Sequence, residues 1–356
     1  MLAGCGVGEA TDASAADELI ANTESATGQS LSSSETDGAR LFALETFDGN
    51  GRTCATCHTA NFGAITPQQI QAAPSSSPIF RRIDADDPSS PYPTYNRLKR
   101  DATVLVTINL PSNIVIIGQP NKRSITVPRA VPSIVDMAAL DTTIMLDGRE
   151  PTLQHQALGA AHAHAQVRRE PTAKQLDQIA AFEKKLFSSA ATYRLAKDGT
   201  DPGLPQGRTD SEKRGRAFFD GPQSACGQCH QGGLLNMGGF PLNIGVSAFN
   251  KSGAKTYNWG IKDPATGAVT PLADAFTGDS HSPDPGAILT TGNPDDFNAF
   301  KMVSLRNIKN TAPYFHDNSA KTLAEVMDHY AQLFSLLGFE ITAQDKADAI
   351  AYMKLL

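Results

Sequence analysis

The pentapeptide Cys-x-x-Cys-His occurs twice in this chain, as Cys54-Ala-Thr-Cys57-His58 and Cys226-Gly-Gln-Cys229-His230. Two thiols at this spacing can each bond one vinyl group of the same porphyrin. The histidine that follows then lies under the iron and donates an imidazole nitrogen. A chain with two such motifs must therefore build enclosed, apolar surroundings for two c-type haems. Structural zinc would need further clustered ligands, and the one remaining cysteine is the distant Cys5. A thioredoxin-like redox motif would need a βαβ context, and neither motif has one.

The other cysteine carries its own signal. Leu2-Ala3-Gly4-Cys5 resembles a bacterial lipobox, in which the cysteine is lipidated. Covalent haem attachment implies export, so we expect a periplasmic protein with a lipid anchor at Cys5. The chain has 356 residues and a net charge of −6, with no Lys/Arg-rich block, so nucleic-acid binding is not expected. No apolar run is long enough to span a bilayer as a helix.

An internal repeat organises the rest. Gly38-Ala-Arg-Leu-Phe-Ala-Leu-Glu-Thr-Phe-Asp-Gly precedes the first motif, and Arg214-Gly-Arg-Ala-Phe-Phe-Asp-Gly precedes the second. Each half closes on a capped amphipathic helix, one beginning at Thr172 with Leu176, Ile179, Phe182 and Leu186 on one face, the other beginning at Thr342. Helix, motif, loops and closing helix, taken twice, predict an all-α fold of two tandem cytochrome c-like domains, each with one covalently bound haem, plus long irregular loops. The boundaries read as a lipoprotein-like tether over 1–37, an N-terminal domain over 38–197, a linker over 198–211 and a C-terminal domain over 212–356. Residues 6–37 are polar and small, and are expected to lack order. Val104 to Val115 alternates in part and predicts a short strand pair. Residues 231–300, rich in Gly, Pro, Asn and Asp, predict a long irregular loop.

The sixth position on each iron separates electron transfer from catalysis: a strong ligand there gives a carrier, an open position admits a small oxidant. No histidine lies between His58 and His155, so the first haem is the candidate for a reactive iron.

The stretch from Phe300 to Asn318, with Asn-Thr-Ala-Pro-Tyr-Phe-His at its centre, and the stretch from Thr322 to Tyr330 resemble the bacterial di-haem cytochrome c peroxidase/MauG superfamily. Asp147-Gly-Arg-Glu-Pro-Thr-Leu-Gln-His-Gln resembles the same family's distal segment. The resemblance runs over roughly 38–356. It implies hydrogen peroxide reduction at the N-terminal haem, with electrons relayed through the C-terminal haem from an external donor such as a small cytochrome c or a copper protein. It places Gln156 on the distal side of the first haem. It makes Tyr330 the distal iron ligand of the second, as in MauG, with Met327 one turn earlier as the rival. It also implies a calcium ion held in part by the carbonyls of Thr311 and Pro313, and pairing into homodimers.

Several positions depart from the family. Leu146 stands where the bridging tryptophan is expected, Ala160 at the nearby proline, and Ala130 at a calcium-ligating asparagine. Gln166 replaces the distal glutamate, and an amide cannot move a proton as a carboxylate does. His162 and His164 lie in that segment, and either can serve as distal acid/base or as sixth ligand to the first iron; equally, both can sit on a solvated loop. Two alternatives therefore stay open beside the peroxidase reading: a non-enzymatic di-haem electron carrier, and a MauG-like enzyme oxidising a partner protein.

Overall fold

The computed structural model describes residues 12–59, 63–221, 224–250 and 254–356. Cys5 lies outside the described residues. The repeat seen in the sequence is a repeat of helix crossings. Ser33–Leu44 packs on Ala173–Glu183, and Asp210–Arg216 packs on Ala343–Met353. Each of the four starts with a reciprocal capping box, at Ser32/Glu35, Thr172/Gln175, Thr209/Glu212 and Thr342/Asp345.

The crossings are close because each has a glycine at the contact. A Cβ on Gly38 would stand 2.0 Å from the Gln178 carbonyl oxygen and 2.9 Å from Phe182 Cβ. A Cβ on Gly215 would stand 2.0 Å from the Asp348 carbonyl oxygen and 2.7 Å from Tyr352 Cβ. Phe42 and Phe182, fully buried, meet edge-on with centroids 5.5 Å apart. In the second crossing Arg214 Nε donates to Asp348 at 2.6 Å.

The all-α expectation is wrong: the fold is mixed, 39% helical with 12% strand. Strand β1 (Thr103–Asn109) and β3 (Ser124–Ala130) form an antiparallel ribbon in the register Thr103↔Ala130 to Asn109↔Ser124. Between them β2 (Ile114–Ile116) pairs with β5 (Tyr257–Lys262), which also pairs with β6 (Val269–Pro271) and β7 (His281–Ser282). A small pair joins β4 (Pro241–Leu242) to β8 (Phe300–Lys301). So the strands foreseen near Val104–Val115 exist, but they pair with two different partners. The stretch 231–300 is not one irregular loop, since it supplies β4 to β8. Val104, Val106, Ile108, Ile114, Ile116, Ile125 and Val127 are buried with Trp259, Tyr257 and Leu272 in one cluster. β-Branched side chains alternating on a pleated surface favour this packing. The pairing of β2 with β5 joins Ile114 to Ile261, far apart in the sequence, which local periodicity does not reveal.

The segment 6–37 also departs from a bare tether. Asp12–Thr27 is helical and packs on Ser33–Leu44. Ala16, Leu19 and Thr23 recur at helical spacing and are buried, so one narrow apolar stripe suffices to hold an otherwise polar helix. Among the described residues no helix is long and apolar enough to cross a membrane.

Candidate functional site

Each Cys-x-x-Cys-His motif folds as a tight turn. The His58 amide donates to the Cys54 carbonyl at 3.0 Å, and the His230 amide to the Cys226 carbonyl at 2.9 Å. The turn gathers two thiols and an imidazole on one side. Both triplets, Cys54, Cys57, His58 and Cys226, Cys229, His230, line one cavity of about 1290 Å³. That volume exceeds the range of ordinary small-molecule pockets. Enclosure pushes the Cys54 and Cys226 thiols up to about 12 and Cys57 to about 11, so all three stay protonated. Reactive or metal-bound thiolates need the opposite shift.

The two histidines suit iron. Burial, with His164 nearby, pulls His58 down to about 4, and burial lowers His230 against the pull of the Leu235 carbonyl. Both are neutral imidazoles at physiological pH. His230 Nδ1 lies 2.7 Å from the Leu235 carbonyl oxygen, which fixes that nitrogen as the N–H and leaves Nε2 as a lone-pair donor. His58 Nδ1 is buried with no hydrogen-bond partner. Four thiols, two neutral imidazoles and an apolar cavity fit two covalently held haems. In that arrangement His58 and His230 would hold the irons.

The segment opposite His58 separates the two candidate histidines. Leu153–Ala160 runs into a single π-helical turn at Ala161–Ala165, which ends on Gln166 with φ of +50°. π-Turns frequently mark functional sites. His164 lines the cavity and its Nδ1 is buried without a partner. Burial lowers its affinity for a proton, with Arg52 and Arg149 adding to the effect against Asp84. His162 points outward, half exposed, with Nε2 3.1 Å from Glu170. Gln156 lines the cavity. Gln166 does not: its side-chain oxygen accepts from Asn50 Nδ2 at 3.0 Å.

The strand of chain just before the first motif clamps this turn. The Asn50 amide donates to the Ala165 carbonyl at 2.7 Å, and Asn50 Nδ2 donates to the His164 carbonyl at 2.9 Å. Arg52 reaches the same His164 carbonyl at 3.4 Å and ion-pairs with buried Asp84 at 2.6 Å.

On the other side, Tyr330 on the helix Leu323–Leu336 faces the cavity. Enclosure drives its phenol well above the usual range, and Cys226 and Cys229 add to the shift, which places the ring beside the second motif. Met327, one turn earlier, is buried and lines the same cavity. On the same cavity wall, Phe300 lies flat on His316, ring centroids 3.6 Å apart and planes 8° from parallel. Arg129, buried, bonds Asp284 at 2.7 Å and Asp147 at 2.5 Å. Leu146 lines the cavity, whereas Trp259 is buried among the strands and donates to the Ser282 carbonyl at 3.1 Å. Thr311 and Pro313 line the cavity. Ala130 adds no side-chain oxygen, so this set falls short of a calcium cage. Among the described residues no group of three or more His, Cys, Asp or Glu is placed to hold a metal ion.

Sequence reasoning missed the carboxyls of Glu183 and Glu150 on the cavity wall. Glu183 is buried, and one oxygen has no partner; burial raises it to about 8. Glu150 lines the cavity and hydrogen-bonds His155. Glu183 ends a helix whose periodicity was plain, and its inward orientation is the signal that was available.

No family model matches the chain. The curated proteins it resembles include the cytochrome-c peroxidase IdrP1 of Pseudomonas sp. (strain SCT), 29% identical over 199 residues that cover 50% of this chain and 48% of that protein. Cytochrome c551 peroxidase of Nitrosomonas europaea is 30% identical over 179 residues, 50% of this chain and 42% of that protein. The chain spans about half the length of the curated relatives it matches. Among solved structures, a MauG-like protein associated with microbial copper homeostasis superposes with a TM-score of 0.53 at 22% identity, covering 91% of this chain and 88% of that one, and so shares its fold.

Proposed function

Because the chain belongs to the bacterial di-haem cytochrome c peroxidase/MauG superfamily, we propose that it reduces hydrogen peroxide at the haem bound by Cys54, Cys57 and His58, and draws electrons through the haem bound by Cys226, Cys229 and His230. The observation that carries this reading is His164, whose ring nitrogen Nδ1 is buried without a partner on the cavity wall near His58.

A haem iron held by one histidine supplies a position where a small oxidant can bind and be reduced. The protein's own groups do the rest. His58 stays neutral and would hold the iron through its imidazole. His164 accepts a proton from bound peroxide and returns it to the departing oxygen. Asn50 and Arg52 hold the backbone that carries His164. Gln156 offers an amide for orientation, and the apolar wall excludes water. Tyr330, beside the second motif, would be the residue to hold the second iron from the other face, and tyrosinate ligation there would favour oxidised iron. The electron donor in this reading is a small cytochrome c or copper protein, in the periplasm, with Cys5 as lipid anchor.

His164 also supports a second reading. If its ring ligates the first iron, both haems are closed and the protein is an electron carrier. Anaerobic titration of the fully reduced protein with peroxide separates the two. Peroxide reduction takes two electrons and two protons to give two waters, so the peroxidase is fully reoxidised by one peroxide per chain within the mixing time. A reduced protein that ignores peroxide is a carrier.

A further inference from the structure

The distal carboxylate expected at position 166 is an amide turned out of the cavity and tied to Asn50. A peroxidase pocket still needs a route by which protons reach its interior. The wall offers another carboxylate, on a loop rather than on the π-turn. Glu150 lines the cavity, and one of its oxygens is hydrogen-bonded to His155 Nδ1. His155 is 62% exposed while Glu150 is 14% exposed, so the pair spans from solvent to the cavity wall.

Two further features fit the carboxylate to this place. Its other oxygen approaches Gly159, where a Cβ would stand 3.3 Å from Oε1, so the absence of a side chain there leaves the carboxylate room. The same loop approaches the distal group, since the charge of Arg149 is felt at His164. His155, on the helix Leu153–Ala160, is hydrogen-bonded to Glu150, and Asp147 and Arg149 flank the carboxylate on its own loop. Arg149 is held by Asp147 at 2.8 Å.

We propose that Glu150 and His155 form the proton-delivery route into the distal pocket of the N-terminal haem, in place of the family's carboxylate. This rests on the peroxidase reading above. A proton taken up by His155 from water passes from Nδ1 to the Glu150 carboxylate, and from that carboxylate into the cavity towards His164. His155 is then neutral and is reprotonated from solvent. No electron moves in these steps. Glu150 and His155 act through His164 and are positioning and relay residues.

Cyanide binding to the ferric haem-loaded protein tests the route without turnover. Cyanide enters chiefly as HCN at neutral pH and binds as the anion, so its proton must leave through the pocket. In the wild type the bimolecular rate constant should vary little between pH 6 and 8. Glu150→Gln should slow it by about tenfold or more at pH 7, at the low end of general acid–base effects, and make it climb steeply with pH. Glu150→Asp should restore most of the rate. His155→Gln, a change at an exposed position, should slow binding in dilute buffer and recover in concentrated buffer. If Glu150→Gln and His155→Gln both bind cyanide at the wild-type rate and with the wild-type pH profile, the route is wrong while the peroxidase reading stands. If the wild type binds no cyanide, its first iron is closed, and both fall together.

Discussion

Asn50 Nδ2 donates to the carbonyl oxygen of His164 over 2.9 Å, joining positions 114 residues apart. The residues just ahead of the first haem motif thus hold the turn that carries the opposing histidine. A shift in one is transmitted to the other. Asn50→Ala removes this bond, the one to Gln166 and the one that Asn50 Oδ1 accepts from the Arg52 amide. The expected cost is about 1 kcal/mol for a partly buried hydrogen bond, read from the urea midpoint. A mixture of ferric spin states should appear in the electron paramagnetic resonance spectrum, since His164 would no longer have one position.

The two histidines of the π-turn should behave oppositely. His164→Ala should lower peroxide turnover by about 100-fold, the lower bound for loss of a general acid–base group. His162→Ala should stay within about twofold of wild type, because its ring faces solvent and Glu170. Steady-state oxidation of a reduced small cytochrome measures both.

Glu183 should make stability depend on pH. Burial raises its carboxyl from 4.5 to about 8. Between these values the native state binds the proton that the unfolded state releases, so stability falls as pH rises through that window and levels off above it. A shift of this size corresponds to a few kcal/mol. Glu183→Gln should flatten the profile and raise the denaturation midpoint at pH 8. A wild-type slope in the variant would contradict the assignment.

Arg129 joins Asp147 to Asp284, 155 residues beyond it, and all three side chains are buried. Removing one partner leaves an uncompensated charge. Asp284→Ala should cost about 3–5 kcal/mol, measured by chemical denaturation. The haem-to-protein ratio of the folded fraction should be unchanged, because neither motif is touched.

What could be read from the sequence was what is local. The two motifs, the capped helices beginning at Thr172 and Thr342 and the Phe-Asp-Gly repeat lie within short windows. Alternation at Val104, Val106 and Ile108 marked a strand, but its partner at Ser124–Ala130 and the pairing of Ile114 with Ile261 are tertiary choices. The Gly- and Pro-rich stretch 231–300 hid β5, whose Trp259 looked like a loop residue and is a core residue. At the site, the residue types in Ala161-His-Ala-His-Ala-Gln were visible while their directions were not. Only the π-turn turns His164 inward and His162 outward. Glu150 was passed over because its role depends on where a loop lies relative to Gly159.

Electron paramagnetic resonance of the fully ferric protein bears most directly on whether the first iron is open to oxidant. The account predicts one high-spin signal that cyanide converts to low-spin, beside one low-spin signal that cyanide leaves alone, with the high-spin signal lost in Cys54→Ala/Cys57→Ala. Two low-spin signals, one of which becomes high-spin only in His164→Ala, would contradict it and make His164 a permanent iron ligand.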